Sequence, residues 1–391
     1  MEPHHLKKEL ITASRNLQNE IVAMRRYLHQ HPELLFQEHD TQAYIMKNLQ
    51  KWGYKPEKTA GTGVITQISG EKGGPIIALR ADMDALAIHE ENELEFKSLN
   101  PGVMHACGHD AHMACLLSAA QIIAKFRNHL HGTVKIIFQP GEEGGGGAKK
   151  IVTEGHLDNV DQVFGIHMWS PIYTGVIGLN PGLLMASADM FRITIKGKGG
   201  HAAFPYLSID PTIVVHEIYE AFQKLITREI NPLHTALITT PEFHGSKAGN
   251  IIPSTAILSG TLRTFDLKDQ KNLLSRMREI SELYAKAWRC ESSFELLGVS
   301  YPPVVNSKSL SEKIKPILQD IGAVTEVEPS MGGEDFAFYQ QKTDGVFLFL
   351  GIQNPKKKII YPHHHPKFDV DEDVLWKGCA IYALLAFLHS L

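Results

Sequence analysis

Short apolar segments that alternate with helical segments are the feature that most restricts the fold of this chain. Three of them, residues 75–80, 133–139 and 162–166, are almost continuously apolar, which is typical of strands covered on both faces. A helical stretch, 110–125, lies between the first two. This alternation predicts an α/β fold with a mixed, mostly parallel sheet flanked by helices.

Carboxylate and imidazole side chains follow each of these strands. Asp82 and Asp84 come after the first strand, Glu142 and Glu143 after the second, and His167 after the third. Sheets of this kind bind ligands just beyond the carboxyl ends of their strands, where neighbouring loops meet. The sequence therefore predicts a site at this edge of the sheet.

A different pattern begins after the third strand. Apolar and polar residues alternate through 191–196, which predicts a half-exposed strand, and Asp210-Pro211 is typical of a helix start. The segments that follow predict the order β-α-β-β-α-β, as in a ferredoxin-like α+β domain. Because the α/β pattern then returns, we expect this domain to be inserted into the first one, with the boundaries 1–186, 187–298 and 299–391.

Composition excludes several classes of protein. The 391 residues include 39 basic and 43 acidic side chains, a net charge of −4, so a nucleic acid partner is not expected. The longest segment without charged side chains, 162–188, contains glycine and proline and is not typical of a membrane helix. Four scattered cysteines do not indicate a disulfide framework, and the N-terminus lacks the apolar run of a signal peptide. A cytoplasmic location is expected.

A thiol and an imidazole two residues apart are the first candidate metal ligands. Cys107 and His109 fall on one side of an extended segment, and both are good ligands for zinc or a similar ion. A buried thiol beside a solvated imidazole is the alternative interpretation. His112 is a rival ligand, because it shares a face with His109 if a helix begins at His109.

Two adjacent carboxylates stand in a glycine-rich loop. Glu142 and Glu143 follow a buried strand, and the glycines around them permit close backbone turns that bring both side chains toward one centre. One carboxylate can bind metal while the other handles a proton. A solvated acidic turn is the alternative, whereas a phosphate-binding loop is excluded because no Gly-Lys-Ser/Thr follows at the required spacing.

Further histidines complete a set of ligands. His167 follows a strand, and His363, His364 and His365 form a run in a loop before the last helix. Five ligands are enough for two ions with a bridging group, and the set consists of Cys107, His109, Glu143, His167 and one late histidine. Asp82 and Asp84 are interpreted as partners of a ligating histidine, and a capping or solvated role fits their spacing equally well.

The inserted segment offers polar groups suited to a substrate. His201 lies on a glycine-marked turn, Asn250 offers a neutral hydrogen-bond donor, and Arg263 can hold a carboxylate through two parallel hydrogen bonds. A surface histidine and a structural arginine are the alternative interpretations.

Taken together, these motifs resemble the family of metal-dependent aminoacylases and carboxypeptidases that includes hippurate hydrolase and the auxin-conjugate hydrolases. The matching segments occur in family order along nearly the whole chain: Leu28-His-Gln-His-Pro-Glu33, Leu79-Arg-Ala-Asp-Met-Asp84, Cys107-Gly-His109-Asp, Gln139-Pro-Gly-Glu142-Glu143, Gly165-Ile-His167, Gly199-Gly-His201-Ala, Asn250-Ile-Ile-Pro253, Gly260-Thr-Leu-Arg263, Gly332-Gly-Glu334-Asp335 and Tyr361-Pro-His-His364.

The resemblance implies a catalytic domain with an inserted lid or dimerisation domain. It implies two divalent ions per subunit, bound by Cys107, His109, Glu143, His167 and His364. Glu142 would be the general base, and His201 would lie near the substrate carbonyl. Asn250 and Arg263 match positions associated with substrate recognition.

The resemblance leaves two alternatives: the identity of the metal, and which of the late histidines binds it. A thiolate ligand favours zinc, while mixed sulfur, nitrogen and oxygen ligands also admit cobalt or manganese. Relatives commonly have Leu-His-Ser-Pro where this chain has three histidines before Pro366, so His363 and His365 are alternatives to His364.

The expected reaction is metal-dependent hydrolysis of the amide bond of an N-acyl amino acid, or release of the C-terminal residue of a short peptide. A specialised N-acyl amino acid deacylase is the alternative within enzymes. A non-catalytic metal-binding regulatory module is the alternative outside them, and the second carboxylate at Glu142 argues against it. We expect a homodimer or homotetramer that acts on a small molecule, without a nucleic acid or membrane partner.

Overall fold

The computed structural model describes residues 2–391. Sixteen strands occur in this part of the chain: β1 (Glu57–Thr59), β2 (Gly63–Ser69), β3 (Lys72–Asp82), β4 (His131–Gln139), β5 (Gln162–Tyr173), β6 (Ile177–Gly178), β7 (Leu183–Met185), β8 (Asp189–Lys196), β9 (Gly200–His201), β10 (Ala236–His244), β11 (Ile251–Ile252), β12 (Thr255–Thr264), β13 (Glu291–Leu296), β14 (Val304–Val305), β15 (Val324–Thr325) and β16 (Asp344–Gln353).

Ten α-helices lie in the same part of the chain: α1 (Pro3–Asn16), α2 (Gln18–Gln30), α3 (His39–Lys51), α4 (His109–Lys125), α5 (Gly147–Thr153), α6 (Pro211–Arg228), α7 (Leu267–Ala287), α8 (Lys308–Gln319), α9 (Ala337–Gln340) and α10 (Leu375–Ala386). Short 3₁₀ helices occupy Arg127–His129, Pro205–Leu207, Pro355–Lys357 and Glu372–Val374. Among residues 2–391, none of the helices has the length and apolar character needed to cross a membrane.

The chain divides into two units. The first runs up to Leu184 and continues in Val305–Glu328 and Asp335–Leu391, whereas the second consists of Met185–Val304 and Pro329–Glu334. The first unit is therefore discontinuous in sequence. The short segment Pro329–Glu334 belongs to the second unit although it comes after Val304 in the sequence, separated from it by a part of the first unit.

An eight-stranded sheet forms the centre of the first unit. Its order is β1-β2-β4-β3-β5-β16-β6-β15, and the neighbours in the middle, from β4 to β16, are all parallel. The pairs β1-β2, β2-β4 and β16-β6 are antiparallel. The sheet is mixed and its central strands are parallel, which confirms the predicted fold class.

Helices cover this sheet because its central strands are apolar on both faces. In β16 the segment from Gly345 to Ile352 is entirely buried, so no side of the strand can face water. Helix α4 is buried along nearly its whole length and packs against β3, α2 and α10, and α10 is likewise buried. This layering fixes the start of α4, at His109, beneath the edge where the parallel strands end.

The second unit has the strand order β10-β12-β8-β13, with every neighbouring pair antiparallel. Together with α6 and α7, this order is that of a ferredoxin-like domain. Side-chain carboxylates cap both helices: Asp210 accepts a hydrogen bond from the backbone N–H of Thr212, and Asp266 accepts from Lys268 and Asp269. Apolar residues of the sheet and both helices form a separate core.

Candidate metal centre

The candidate ligands of the first unit lie where its parallel strands end. Asp82 at the end of β3 pairs in register with Gln139 at the end of β4, so the residues that follow both strands leave the sheet side by side. His167 lies inside the neighbouring strand β5, two residues after the partner of Arg80, so the prediction that it follows a strand is wrong. His109 is the first residue of α4. Sequence segments that are far apart therefore meet at one edge of the sheet.

Two groups of ligand atoms share one sulfur. The ligand atoms of Cys107, His109 and His167 lie within 4.8 Å of one another, and so do those of Cys107, Glu143 and His364. Within these groups, Cys107 Sγ lies 3.5 Å from His167 Nε2, and His364 Nε2 lies 3.2 Å from Glu143 Oε1. The two groups are candidate metal sites that have Cys107 in common.

Hydrogen bonds direct the outer nitrogen of two imidazoles away from the ligand position. His109 Nδ1 donates to the backbone carbonyl of Asp84 at 2.8 Å, and His167 Nδ1 donates to the carbonyl of Met168 at 2.8 Å. Each Nε2 is thereby left as the candidate ligand atom. His109 Nε2 is buried without a hydrogen bond, which is costly for a polar atom unless it has another partner, so the residues present fit a bound metal ion.

The charges around Cys107 also fit a cation. Burial, together with Glu143, Glu142 and Asp82, raises the pKa of the Cys107 thiol well above its ordinary value. Burial opposes ionisation of His109 as well, but Asp82, Asp84 and Glu143 raise the pKa of this imidazole to about 10. The pocket is therefore rich in negative groups, and a divalent ion stabilises the deprotonated thiolate that such a pocket otherwise disfavours.

His112, the rival ligand in the sequence, has both ring nitrogens in hydrogen bonds. Its Nδ1 donates to Asp82 Oδ1 at 2.6 Å, and its Nε2 accepts from the backbone N–H of Met168 at 2.8 Å. A nitrogen that accepts an N–H has no lone pair left for a metal. His112 therefore orients Asp82, and His109 is the better candidate ligand.

Hydrogen bonds also distinguish the three late histidines as candidate ligands. His363 Nε2 donates to the carbonyl of Met168 at 2.8 Å, and its Nδ1 contacts Ser170 Oγ at 3.2 Å. His365 Nδ1 accepts from the backbone N–H of Lys367, and its ring stacks on Tyr361. Only His364 of the three has a ring nitrogen beside Glu143, and its backbone N–H donates to the carbonyl of Ala106, which joins the two ligand loops.

Asp82 and Asp84 have different partners. Asp82 Oδ2 accepts from Arg80 Nη1 at 2.8 Å and lies 3.7 Å from His109 Nε2. Asp84 accepts from two backbone N–H groups, those of Glu142 at 2.8 Å and Glu143 at 2.9 Å. Asp84 thus fixes the main chain that carries both loop carboxylates.

Arg80 is a residue of this site that the sequence analysis did not single out. Its buried guanidinium donates to Asp82, to Gln139 Oε1 at 2.9 Å and to Asp335 Oδ1 at 3.1 Å. Asp335 also accepts from the backbone N–H of Ala148 at 2.9 Å. The signal in the sequence was a charged residue within an otherwise apolar strand, because an arginine is buried only when it is paired.

The predicted substrate-binding residues belong to the second unit. His201 and Asn250 line an open groove of about 840 Å³, together with other residues of the β9 and β11 region. The backbone N–H of Ala202 donates to the carbonyl of Asn250 at 3.0 Å, which fixes the two segments next to each other. Arg263 lies on β12, is half-buried, and is not part of that groove.

Comparison with known proteins identifies the family of this chain. Residues 78–387 match peptidase family M20/M25/M40. Thermostable carboxypeptidase 1 of Saccharolobus solfataricus is 39% identical over 389 residues, which cover 98% of this chain and 99% of the relative. N-acetyl-L-cysteine deacetylase of Bacillus subtilis is 38% identical over 364 residues, which cover 93% of this chain and 86% of the relative.

A solved structure extends the likeness to the fold. The YXEP protein of Bacillus subtilis, described as a dinuclear metal-binding peptidase of the M20 family, has a TM-score of 0.83 and 34% identity. The match covers 96% of this chain and 98% of that protein. These similarities confirm the resemblance seen in the motifs and support two divalent metal ions. The chain belongs to peptidase family M20/M25/M40 and is a metal-dependent hydrolase of amide bonds.

Proposed function

We propose that this enzyme hydrolyses the amide bond of N-acyl amino acids or removes the C-terminal residue of short peptides. The observation that carries the proposal is the pair of ligand groups that share Cys107, with a second carboxylate, Glu142, beside them. A closed structural metal site has no use for such an additional base. Relatives named as a carboxypeptidase and as a deacetylase, at 39% and 38% identity, support this substrate class.

The five candidate ligands divide between two ions in this proposal. Cys107, His109 and His167 would hold one ion, and Cys107, Glu143 and His364 would hold the other. When bound, such ions lower the pKa of water toward neutrality and polarise the carbonyl of the scissile bond. Zinc is the favoured metal because of the thiolate, with cobalt and manganese as alternatives.

Glu142 is assigned the proton transfers. Its side chain is buried, and a carboxylate oxygen lies within 4.8 Å of the ligand atoms of His109 and Glu143. Its backbone N–H donates to Asp84, so the main chain that carries the carboxylate is fixed in position. Glu142 takes a proton from the attacking water and passes it to the leaving nitrogen, as a general base and then a general acid.

The second unit supplies substrate contacts in this proposal. His201 Nδ1 accepts from the backbone N–H of Ala203 at 3.1 Å, so the neutral ring carries its proton on the exposed Nε2. That N–H is suited to donate to the oxyanion that develops on the substrate carbonyl. Arg263 is assigned to the free carboxylate of the substrate, and Asn250 to a neutral hydrogen bond. The dimeric or tetrameric state and the cytoplasmic location stay predictions of the sequence.

His201 and Arg263 should affect different kinetic constants. We expect His201→Ala to lower kcat by roughly 10²- to 10³-fold with little change in KM, because an oxyanion donor acts mainly in the transition state. We expect Arg263→Ala to raise KM by about 10- to 100-fold, the effect of losing a charged hydrogen bond. Steady-state kinetics on one N-acyl amino acid separates the two effects.

An exposed histidine of the same unit, His216 on α6, provides the control, and His216→Ala should leave both constants unchanged. Wild-type kcat in His201→Ala contradicts its assignment. Unchanged preference of Arg263→Ala for acids over neutral amide analogues contradicts the carboxylate assignment. Mixing His201→Ala with Glu142→Gln subunits restores activity only if His201 acts on the site of a partner subunit.

A panel of substrates and metals tests the proposed function itself. The enzyme is stripped by chelation and reloaded with zinc, cobalt or manganese, and its activity is measured on N-acetyl amino acids, N-benzoyl amino acids and blocked dipeptides. We expect chelation to abolish activity and reloading to restore it, with free-carboxylate substrates preferred. Activity on N-acetyl amino acids alone favours the specialised deacylase. If the enzyme hydrolyses none of these substrate classes, the proposal is contradicted.

A further inference from the structure

Three consecutive backbone N–H groups of the catalytic loop donate to buried carboxylates. We define the catalytic loop as residues 140–147, which include Glu142 and Glu143. The N–H groups of Glu142 and Glu143 donate to Asp84, as described above. The preceding N–H, that of Gly141, donates to Glu38 Oε1 at 3.0 Å. The main chain of the loop is therefore held from two directions at the point where the proposed base begins.

Glu38 is fully buried and is committed to this contact. Its second carboxylate oxygen accepts from the hydroxyl of Thr62, so both oxygens have partners. Glu38 directly precedes α3, yet its side chain makes no capping hydrogen bond to that helix. A buried carboxylate is retained at a cost unless its hydrogen bonds compensate, and one of those bonds goes to the catalytic loop.

The capping role in α3 belongs to a different carboxylate. Glu33 accepts from the backbone N–H groups of Asp40 at 3.1 Å and Thr41 at 2.8 Å. The two glutamates of this short segment therefore have different partners. Glu33 stabilises the first turn of α3, and Glu38 contacts the loop.

Phe36 lies between these glutamates in the sequence, and its ring packs against the catalytic loop. It has φ of 57°, a left-handed conformation that is strained for a bulky side chain, in a turn closed by a hydrogen bond from Gln37 to Leu34. Its ring contacts the loop so closely that a methyl group at Gly141 would lie 2.7 Å from Phe36 Cζ. At Gly145 a methyl group would lie 2.6 Å from Phe36 Cε2. The strained turn and the glycines therefore fit each other.

We propose that Glu38 and Phe36 are positioning residues for the reaction, which hold the catalytic loop so that the Glu142 carboxylate keeps its place beside the metal ligands. This inference rests on the proposed function, because it presumes that Glu142 transfers the proton. Neither residue touches the reacting atoms. They act through the backbone of Gly141 and through the glycines of the loop.

The test compares Glu38→Ala, Glu38→Gln and the control Glu33→Ala, each as the full-length, metal-saturated enzyme. We expect Glu38→Ala to lower kcat by roughly 10- to 100-fold with KM changed less than about threefold, because small misplacements of a catalytic group have effects of this size. Glutamine can accept from Gly141 and donate to Thr62, so Glu38→Gln should restore most of kcat. Glu33→Ala should keep wild-type kcat.

Hydrogen exchange supplies a measurement that does not depend on catalysis. In Glu38→Ala the amides of residues 141–147 should exchange at least about tenfold faster than in the wild type, because local opening becomes easier, whereas Glu33→Ala should accelerate exchange only at the start of α3. Metal content, measured on each variant, should stay at the wild-type value. If Glu38→Ala does not fold, Phe36→Leu replaces it with the same expected changes.

The inference is overturned if Glu38→Ala, or Phe36→Leu where Glu38→Ala does not fold, leaves kcat and exchange of the loop within about twofold of wild type. It is also overturned if Glu33→Ala produces the same changes. Failure of the proposed function has a different signature. In that case Glu142→Gln keeps its activity, while the effect of Glu38 on hydrogen exchange in the loop is still observed.

Discussion

Replacing Glu142 by glutamine should lower kcat by about 10²- to 10⁴-fold, the range typical for loss of a general acid–base group, while both metal ions stay bound. The amide keeps the shape of the side chain, and its backbone N–H still donates to Asp84. It cannot take a proton at neutral pH. Activity on an N-acyl amino acid and metal content of the same preparation are the two measurements.

Glu143→Gln is the matched comparison, since it makes the same chemical change one residue later. Glu143 Oε1 faces His364 and belongs to the ligand group with Cys107, so this variant should lose metal as well as activity. Loss of metal in Glu142→Gln, with metal retained in Glu143→Gln, exchanges the two roles. Near-normal turnover in Glu142→Gln removes this residue from the mechanism.

The type of fold could be predicted because the central strands are apolar on both faces. Strands β3, β4 and β5 correspond to the apolar segments found in the sequence, and their parallel pairing follows from the helices between them. The order of the sheet could not be predicted in this way. The place of β16 beside β5, and the antiparallel strands at both margins, depend on contacts between distant segments that no local pattern records.

The candidate site could be predicted as a set of residues but not as an arrangement. Spacing left His109 and His112 as rivals, and the choice depends on which ring accepts the backbone N–H of Met168. Spacing also left His363, His364 and His365 as alternatives, and the choice among them depends on the partners of their ring nitrogens. Glu38 escaped notice because it lies in a turn without periodicity, and its partner is a backbone N–H that follows 103 residues later.

Removal of the shared sulfur should have the broadest effect on this enzyme. Cys107→Ala takes one ligand from both proposed sites at once, so we expect loss of both ions and of activity. The decrease in metal affinity should exceed roughly 100-fold, the upper end of the effect of removing an outer partner of a ligand. Metal titration of the stripped protein and activity at saturating metal measure this result.

Another buried thiol provides the control. Cys115 lies on α4, and its Sγ is 3.3 Å from the carbonyl of Leu375, away from the ligand groups described above. Cys115→Ser keeps a donor for that carbonyl and lies outside both ligand groups, so metal content and kcat should stay near the wild-type values. If Cys107→Ala instead keeps both ions and its turnover, the two ligand groups act independently, with no bridging thiolate. The proposed division of ligands would then have to be abandoned.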